Sequence, residues 1–286
     1  MSAEGGNPAT PPRRKRGLKR REVYTHGYST QSQQFLAGRS ASEWAAFFIP
    51  YLRPGMSLLD CGCGPGTVTV GLAQTVTPGA VVGIDIEPSQ IEAAQAHATE
   101  QGVANVRFDV ASIYDLPFAA GSFQAAYAQA CLLHLGDPVA ALKEMRRVLE
   151  PGGVVGVRDA DYGGAVFAPF DALVDQVNQL VIRLHKHNGG DPYVGRRHRE
   201  LLREAGFTRN TATAWAGCNG TLEATRFWGQ FLARRLLEPH YGGRMIELGW
   251  INQSTLEQMS AACRAWGQHP DAFSTWTMCE AVGWKG

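Results

Sequence analysis

The chain has 286 residues, 44% of them hydrophobic, and its 27 basic and 26 acidic side chains leave a formal net charge of +1. That is enough apolar material for one large α/β domain with helical additions rather than two independent domains. No apolar run approaches the roughly 20 residues that span a bilayer. The N-terminal residues show no apolar stretch of the kind a secretory signal carries, and the six scattered cysteines suit reduced thiols, so a cytoplasmic location is expected.

Residues 1–12 are small, polar and proline-containing, and seven basic side chains follow between Arg13 and Arg21. Without residues 1–22 the chain keeps 20 basic and 24 acidic groups, a net charge of −4, so the basic character lives in what reads as a disordered arm. Such an arm serves as a nuclear address, as a contact for nucleic acid or anionic membrane, or simply as a solvated tail; the tail is the simplest reading. Tyr24, His26 and Tyr28 then precede a helical stretch around Trp44, Phe47 and Phe48.

The run Leu58–Gly66, Leu-Leu-Asp-Cys-Gly-Cys-Gly-Pro-Gly, is an apolar strand closed by Asp60, followed by a glycine-rich turn and a helix from Thr67 to about Gln74. A turn of this kind aims backbone N–H groups and a helix N-terminus at a ligand, and glycine supplies both close approach and positive φ. The spacing of Gly62, Gly64 and Gly66 does not fit the Gly-x-Gly-x-x-Gly of dinucleotide enzymes. Cys61 and Cys63 form a Cys-x-Cys, but no second pair at ligand spacing completes a metal site, and none is expected. The next strand, Val81–Asp85, ends in a carboxylate suited to the vicinal hydroxyls of a ribose. Asp85 stands too far from the helix starting near Pro88 to be explained as its cap.

Further along come Ser112-Ile113-Tyr114-Asp115-Leu116-Pro117-Phe118 with Gly121-Ser122-Phe123, and then a helix with Asp137 as N-cap and Pro138 at its first position. Leu142, Met145, Val148 and Leu149 fall at helical spacing, and Pro151-Gly152-Gly153 turns the chain into another strand. Strands are expected near 57–61, 80–85, 105–109, 124–129 and 153–158, a sixth over Thr208–Trp215 and a last over Ser274–Trp284.

Taken together, the Asp-x-Gly-x-Gly-x-Gly loop, the Asp85 strand end, the Leu-Pro-Phe segment and the Arg-Val-Leu-x-Pro-Gly-Gly segment resemble the class I S-adenosylmethionine-dependent methyltransferases. The likeness is to the small-molecule group related to ubiquinone and menaquinone biosynthesis. It implies a doubly wound, mostly parallel seven-stranded sheet in the order 3-2-1-4-5-7-6 with helical cap insertions, and S-adenosylmethionine as cofactor. By carry-over the cofactor residues are Asp60, Gly62, Gly64, Gly66, Asp85, Ile86, Ser112, Ile113 and Gln129, with Tyr24 and Arg39 from a lid. Ser112 and Gln124 depart from the aspartates usual in the group; a serine hydroxyl can still accept from an exocyclic amine, without charge assistance.

The implied organisation is a basic arm at 1–22, a helical lid at 23–54, a cofactor core at 55–160, and the remaining strands with cap insertions at about 161–199 and 221–270. Both insertions are expected on the cofactor side, where Phe227, Trp228, Phe231, Leu232, Leu236 and Leu237 at helical spacing, with Leu256, Met259 and Trp266, form core, a homodimer face, or the wall of a substrate pocket. Methyl transfer from a sulfonium is an in-line displacement that needs a base only for a protonated acceptor. By resemblance His134 is the best-placed titratable group, and Asp159, Asp161, Tyr162 and His185 are candidates for substrate contact. The expected substrate is a small, largely hydrophobic metabolite. An RNA or DNA methyltransferase using the arm is the alternative, but Ala128–His134 offers no Pro-Pro-aromatic grip for a flipped base and the core is slightly acidic. A non-catalytic cofactor-binding scaffold is the other alternative.

Overall fold

A computed structural model describes residues 22–286, so the basic arm read over residues 1–22 lies, Glu22 apart, outside the described residues. Seven strands, β1 (Leu58–Cys61), β2 (Val81–Asp85), β3 (Val106–Val110), β4 (Phe123–Gln129), β5 (Leu149–Ala168), β6 (Arg209–Asn219) and β7 (Phe273–Trp284), form one sheet in the order β3-β2-β1-β4-β5-β7-β6. Every neighbour pair is parallel except those of β7, which runs antiparallel to β5 and β6. This is the doubly wound sheet that the alternating strand and helix signals imply. β1 lies between β2 and β4, so the chain reverses its winding there and opens a crevice at the carboxyl ends of the strands.

The helices α1 (Thr30–Ala37), α2 (Ala41–Trp44), α3 (Thr67–Val76), α4 (Pro88–Glu100) and α5 (Pro138–Val148) accompany this core. Asp137 caps α5 by accepting from the Ala140 N–H at 3.0 Å, and Leu142, Met145 and Val148 are buried at the spacing the sequence shows. On the opposite face Phe48 stacks on Tyr127 with ring centroids 5.6 Å apart. Its ring also covers Gly156, where a Cβ would come within 2.5 Å of it, so a backbone-only position in β5 is what lets the N-terminal segment dock.

β5 corrects the expected strand over 153–158. It runs 20 residues, and its outer part, Val166–Ala168, pairs with Phe273–Thr275 of β7 beyond a register shift after Asp161. Gly163-Gly164 reads as a break in the sequence, but the length of β7 supplies backbone partners past it. Gly164 fits because its backbone lies against Thr277, whose hydroxyl donates to the Gly164 carbonyl at 3.3 Å. Residues 161–168 are therefore sheet.

Beyond β5 come α6 (Ala172–His187), α7 (His198–Glu204), α8 (Leu222–Leu236), α9 (Arg244–Glu247) and α10 (Gln253–Gly267), with a wide π-type turn at Pro239–Gly243. α6, α8 and α10 share a separate apolar core that includes Val177, Leu184, Leu236, Met259 and Trp266, while Phe227 and Leu237 point to solvent. No helix among the described residues is long and apolar enough to cross a membrane. α8 and α10 touch through glycines: a Cβ on Gly229 would sit 2.5 Å from the Cys263 carbonyl oxygen and 2.9 Å from Gly267 Cα. Gly229→Val is expected to lower unfolding free energy by about 1–3 kcal/mol through overpacking, read from chemical denaturation, although the same change in an isolated helix would add propensity.

Candidate active site

Gly62, Gly64 and Gly66 all take positive φ, +75°, +54° and +78°, a conformation that L side chains rarely adopt. Two of them face a cavity of about 740 Å³ at the carboxyl ends of β1, β2 and β4, together with Asp60, Asp85, Ile86, Ser112, Ile113 and Gln129. Gly66, named with them in the carry-over, does not itself line the cavity. A Cβ there would meet Ala94 at 2.8 Å and Phe108 at 3.1 Å, so Gly66 lets the start of α3 close on α4 and β3.

Asp85 is held by the backbone on both sides: Gly64 N–H donates to Oδ2 and Glu87 N–H donates to Oδ1, each at 3.0 Å. The carboxylate thus shapes the turn leading into α4, while the cap position of that helix is Glu87, as the distance of Asp85 from Pro88 implied. The lone pairs not engaged by these N–H groups remain for hydroxyls of a ligand. Asp60 is 2% exposed and accepts from Thr69 Oγ1 at 2.6 Å; burial pushes its carboxyl from 3.8 up to about 7 against that hydrogen bond.

The near wall comes from the N-terminal segment. Glu22 accepts from Tyr114 Oη and from Gly136 N–H, both at 2.6 Å, and Asn188 Nδ2 donates to Thr25 Oγ1 at 3.1 Å. These ties lay residues 22–28 along the cavity, where Tyr24 stacks on Tyr28 with centroids 5.0 Å apart. Gln90 also lines the cavity, 2% exposed, with neither its amide oxygen nor its nitrogen partnered. It is a buried polar group aimed at a ligand, and sequence reasoning missed it. Its signal was a glutamine on the same helical face as the buried Ala94 and Ala98.

A second cavity of about 160 Å³ abuts the first, and Tyr24, Leu36, Arg39 and Ala130 line both. Ala130, at the end of β4, has φ +49°, a position that costs a non-glycine residue about 1 kcal/mol or more. Tyr162 and Asp161 line the second cavity, and Asp161 is gripped by Arg196 through contacts of 2.5 and 2.7 Å. His134 lines the first cavity beside the shared wall, its ring 4.6 Å from that of Tyr24. It is buried with both ring nitrogens unpartnered, and burial, then the charges of Arg235 and Arg39, push it down to about 3.

Two expected substrate contacts fall elsewhere. Asp159 is fully buried, accepts from the Leu133 N–H at 3.1 Å and meets His198 Nε2 at 3.0 Å, and lines neither cavity. It fixes the turn that carries His134. His185 is wholly buried behind that turn, its ring 5.3 Å from His134, and also lines neither cavity. Arg235, which sequence reasoning passed over, and His26, named there only as part of the lid segment, face the second cavity and touch each other across 209 positions of chain.

Because Asp60 favours its proton when folded, its contribution to stability is present below its ordinary 3.8 and is lost as pH rises toward about 7. The difference in unfolding free energy between the wild type and Asp60→Asn should therefore shrink or turn negative by on the order of a few kcal/mol across that window. Denaturant titrations at a series of pH values check it; a flat difference would mean that Asp60 is ionised throughout.

Residues 52–206 match the model of the methyltransferase domain family. An uncharacterised methyltransferase of Schizosaccharomyces pombe is 31% identical over 256 residues, covering 85% of this chain and 89% of that protein. The O-methyltransferase resE of Aspergillus sclerotiorum is 35% identical over 155 residues, 54% of this chain and 55% of that protein. A putative methyltransferase structure from Bacillus halodurans shares the fold with a TM-score of 0.58 at 17% identity, covering 86% of this chain and all of that one. The glycine turn, the ribose-suited carboxylate and the orphaned Gln90 amide fit S-adenosylmethionine as the cofactor of the larger cavity. The chain belongs to the S-adenosylmethionine-dependent methyltransferases.

Proposed function

We propose that this enzyme methylates a small, largely hydrophobic metabolite, at an oxygen atom, with the acceptor seated in the second cavity. The observation that carries this reading is the shared wall: an aromatic-lined cavity of about 160 Å³ meets the cofactor cavity at Tyr24, Leu36, Arg39 and Ala130. The resE relative, named an O-methyltransferase, supports oxygen as the acceptor. When bound, the cofactor supplies a methyl group already activated on a sulfonium.

The protein's own part is alignment and exclusion of water. Asp85 and the backbone around Gly62 and Gly64 fix the nucleoside end, and Gln90, Ser112 and Gln129 offer polar contacts along the cavity. Tyr24 and Ala130 stand on the wall between cofactor and acceptor. His134 sits beside the shared wall as a neutral imidazole with both ring nitrogens unpartnered, placed to hydrogen-bond the acceptor. The positive charges of Arg39 and Arg235 oppose its protonation, so it holds a proton only when a negative group offsets them.

Calorimetric titration with S-adenosylmethionine, S-adenosylhomocysteine and NAD tests the cofactor half of the reading. The first two alone should bind, and Asp85→Ala should weaken them by on the order of a hundredfold or more, the loss of two hydrogen bonds to a charged group. Transfer of labelled methyl should then appear on members of a panel of small phenols and aromatic acids. Binding of NAD instead, or label passing only to RNA, would overturn it.

A further inference from the structure

We infer that the acceptor is a single-ring aromatic molecule carrying an oxyanion, a carboxylate or an acidic phenol bound as its conjugate base, and that Arg235 of α8 receives that oxyanion in the second cavity. The inference rests on the methyl-transfer reading and narrows the class of molecule on which it acts.

Arg235 is a cation in an apolar setting without a countercharge. It lies over the rings of Tyr241 at 4.7 Å and Phe231 at 5.6 Å, its Nε is buried and unpartnered, and among the described residues its side chain hydrogen-bonds His26 Nδ1. No carboxylate among the described residues pairs with it. Other arginines near the sheet are matched: Arg196 with Asp161, and Arg158 with Glu280 at 3.5 Å. Arg39, on the wall common to both cavities, is likewise unmatched and stacks over Trp44 at 4.4 Å. The single acid lining the second cavity, Asp161, is already neutralised by Arg196. A guanidinium cannot shed its proton, and Arg235, half-buried with its Nε wholly enclosed, has no carboxylate facing it across the cavity, so an anion is the ligand that matches it.

The neighbouring histidines do not supply that charge. Arg235 donates to His26 Nδ1, which leaves His26 neutral with its Nε2–H directed at Tyr162 Oη, 3.5 Å away. His134 and His185 complete a cluster of three rings with centroids 5.0–5.3 Å apart, and both nitrogens of each are buried without partners. Among the described residues no three His, Cys, Asp or Glu side chains are disposed to hold a metal ion. What remains is a positive guanidinium flanked by neutral donors and acceptors, the surroundings an oxyanion requires. All three imidazoles are held below their ordinary range by burial and by Arg235.

The rest of the wall selects a flat ring. Trp228 stacks on Trp276 and on Phe231, each with centroids 5.1 Å apart and interplanar angles of 19° and 16°. A cavity near 150 Å³ holds one benzene-type ring, and this one is about 160 Å³. An acceptor bound as its conjugate base has already released its proton to water, so the step needs no histidine of ordinary basicity.

The test titrates benzoate and 4-nitrophenolate into the protein with and without S-adenosylhomocysteine, using benzamide and nitrobenzene as neutral shape controls. The wild type should prefer an anion over its neutral control by about tenfold or more. Arg235→Met should abolish the preference, and Arg235→Lys should keep part of it, with unchanged affinity for S-adenosylhomocysteine showing that each variant is folded. Binding of benzoate alone assigns a carboxylate, and of 4-nitrophenolate alone, with its visible absorbance retained, a phenolate. Equal binding of neutral and anionic probes, a preference that survives in Arg235→Met, or no probe binding while S-adenosylhomocysteine binds would each overturn the inference. Failure of S-adenosylhomocysteine to bind at all would instead remove the methyl-transfer reading, and the cofactor-free titrations would still decide the role of Arg235.

Discussion

The carboxylate of Asp85 ties together the two chain segments on which the cofactor cavity is built. By accepting from Gly64 N–H and Glu87 N–H it joins the turn after β1 to the entry of α4 after β2. Those turns are the two lips of the crevice at the point where the sheet reverses its winding. Gly62 and Cys63 strengthen the same join through N–H donation to the Ile84 carbonyl at 2.8 and 2.9 Å. The glycines matter because this join pulls the backbone into positive φ where a side chain would strain it. Burial works against the charge on Asp85 and the two backbone donors work for it, a tension that hydroxyl donors from a ligand would relieve.

What could be read from the sequence was what depends on neighbours in the chain. The strand, glycine turn and helix at Leu58–Val76, the carboxylate at the end of β2 and the capped α5 each declare themselves within a short stretch of chain. The order of the seven strands followed from resemblance to a family whose members share that local syntax. Readings failed where a distant partner decides the outcome. β5 continues through Gly163-Gly164 because β7, more than a hundred residues later, supplies its hydrogen bonds. Gly66 does not itself line the cavity and is demanded by Ala94 and Phe108, a packing constraint with no trace in the loop.

The same logic separates the two cavities. The cofactor cavity is lined mostly from strand ends that lie close together in sequence, so most of its residues were legible; Gln90 escaped because a polar residue at the start of a helix reads as a surface position. The second cavity is assembled from the N-terminal segment, β5, α6, α8 and β7, and its decisive contact joins His26 to Arg235. Periodicity marked Phe231 and Trp228 as apolar wall and said nothing of a cation among them, since an arginine on an amphipathic helix is ordinarily a solvated face. The expectation of a largely hydrophobic substrate follows from such a pattern, which carries no sign of the Arg235 guanidinium beside the aromatic rings.

Asp159, which lines neither cavity, positions the turn that carries His134. Its carboxyl, wholly buried at the end of the fifth strand's inner half, accepts from the Leu133 N–H and is matched by His198 of α7. The turn so anchored carries His134 past the shared wall and receives Asp191 N–H at the Leu133 carbonyl, 3.0 Å away. Gly190 packs against the same carbonyl so closely that a Cβ would come within 2.2 Å. The turn is therefore held from the sheet below and from the loop after α6 above, which leaves the imidazole of His134 little freedom to swing toward water. A ring so confined, with unpartnered nitrogens, is held neutral first by burial and then by the positive charges of Arg235 and Arg39, which favour a negative group beside it.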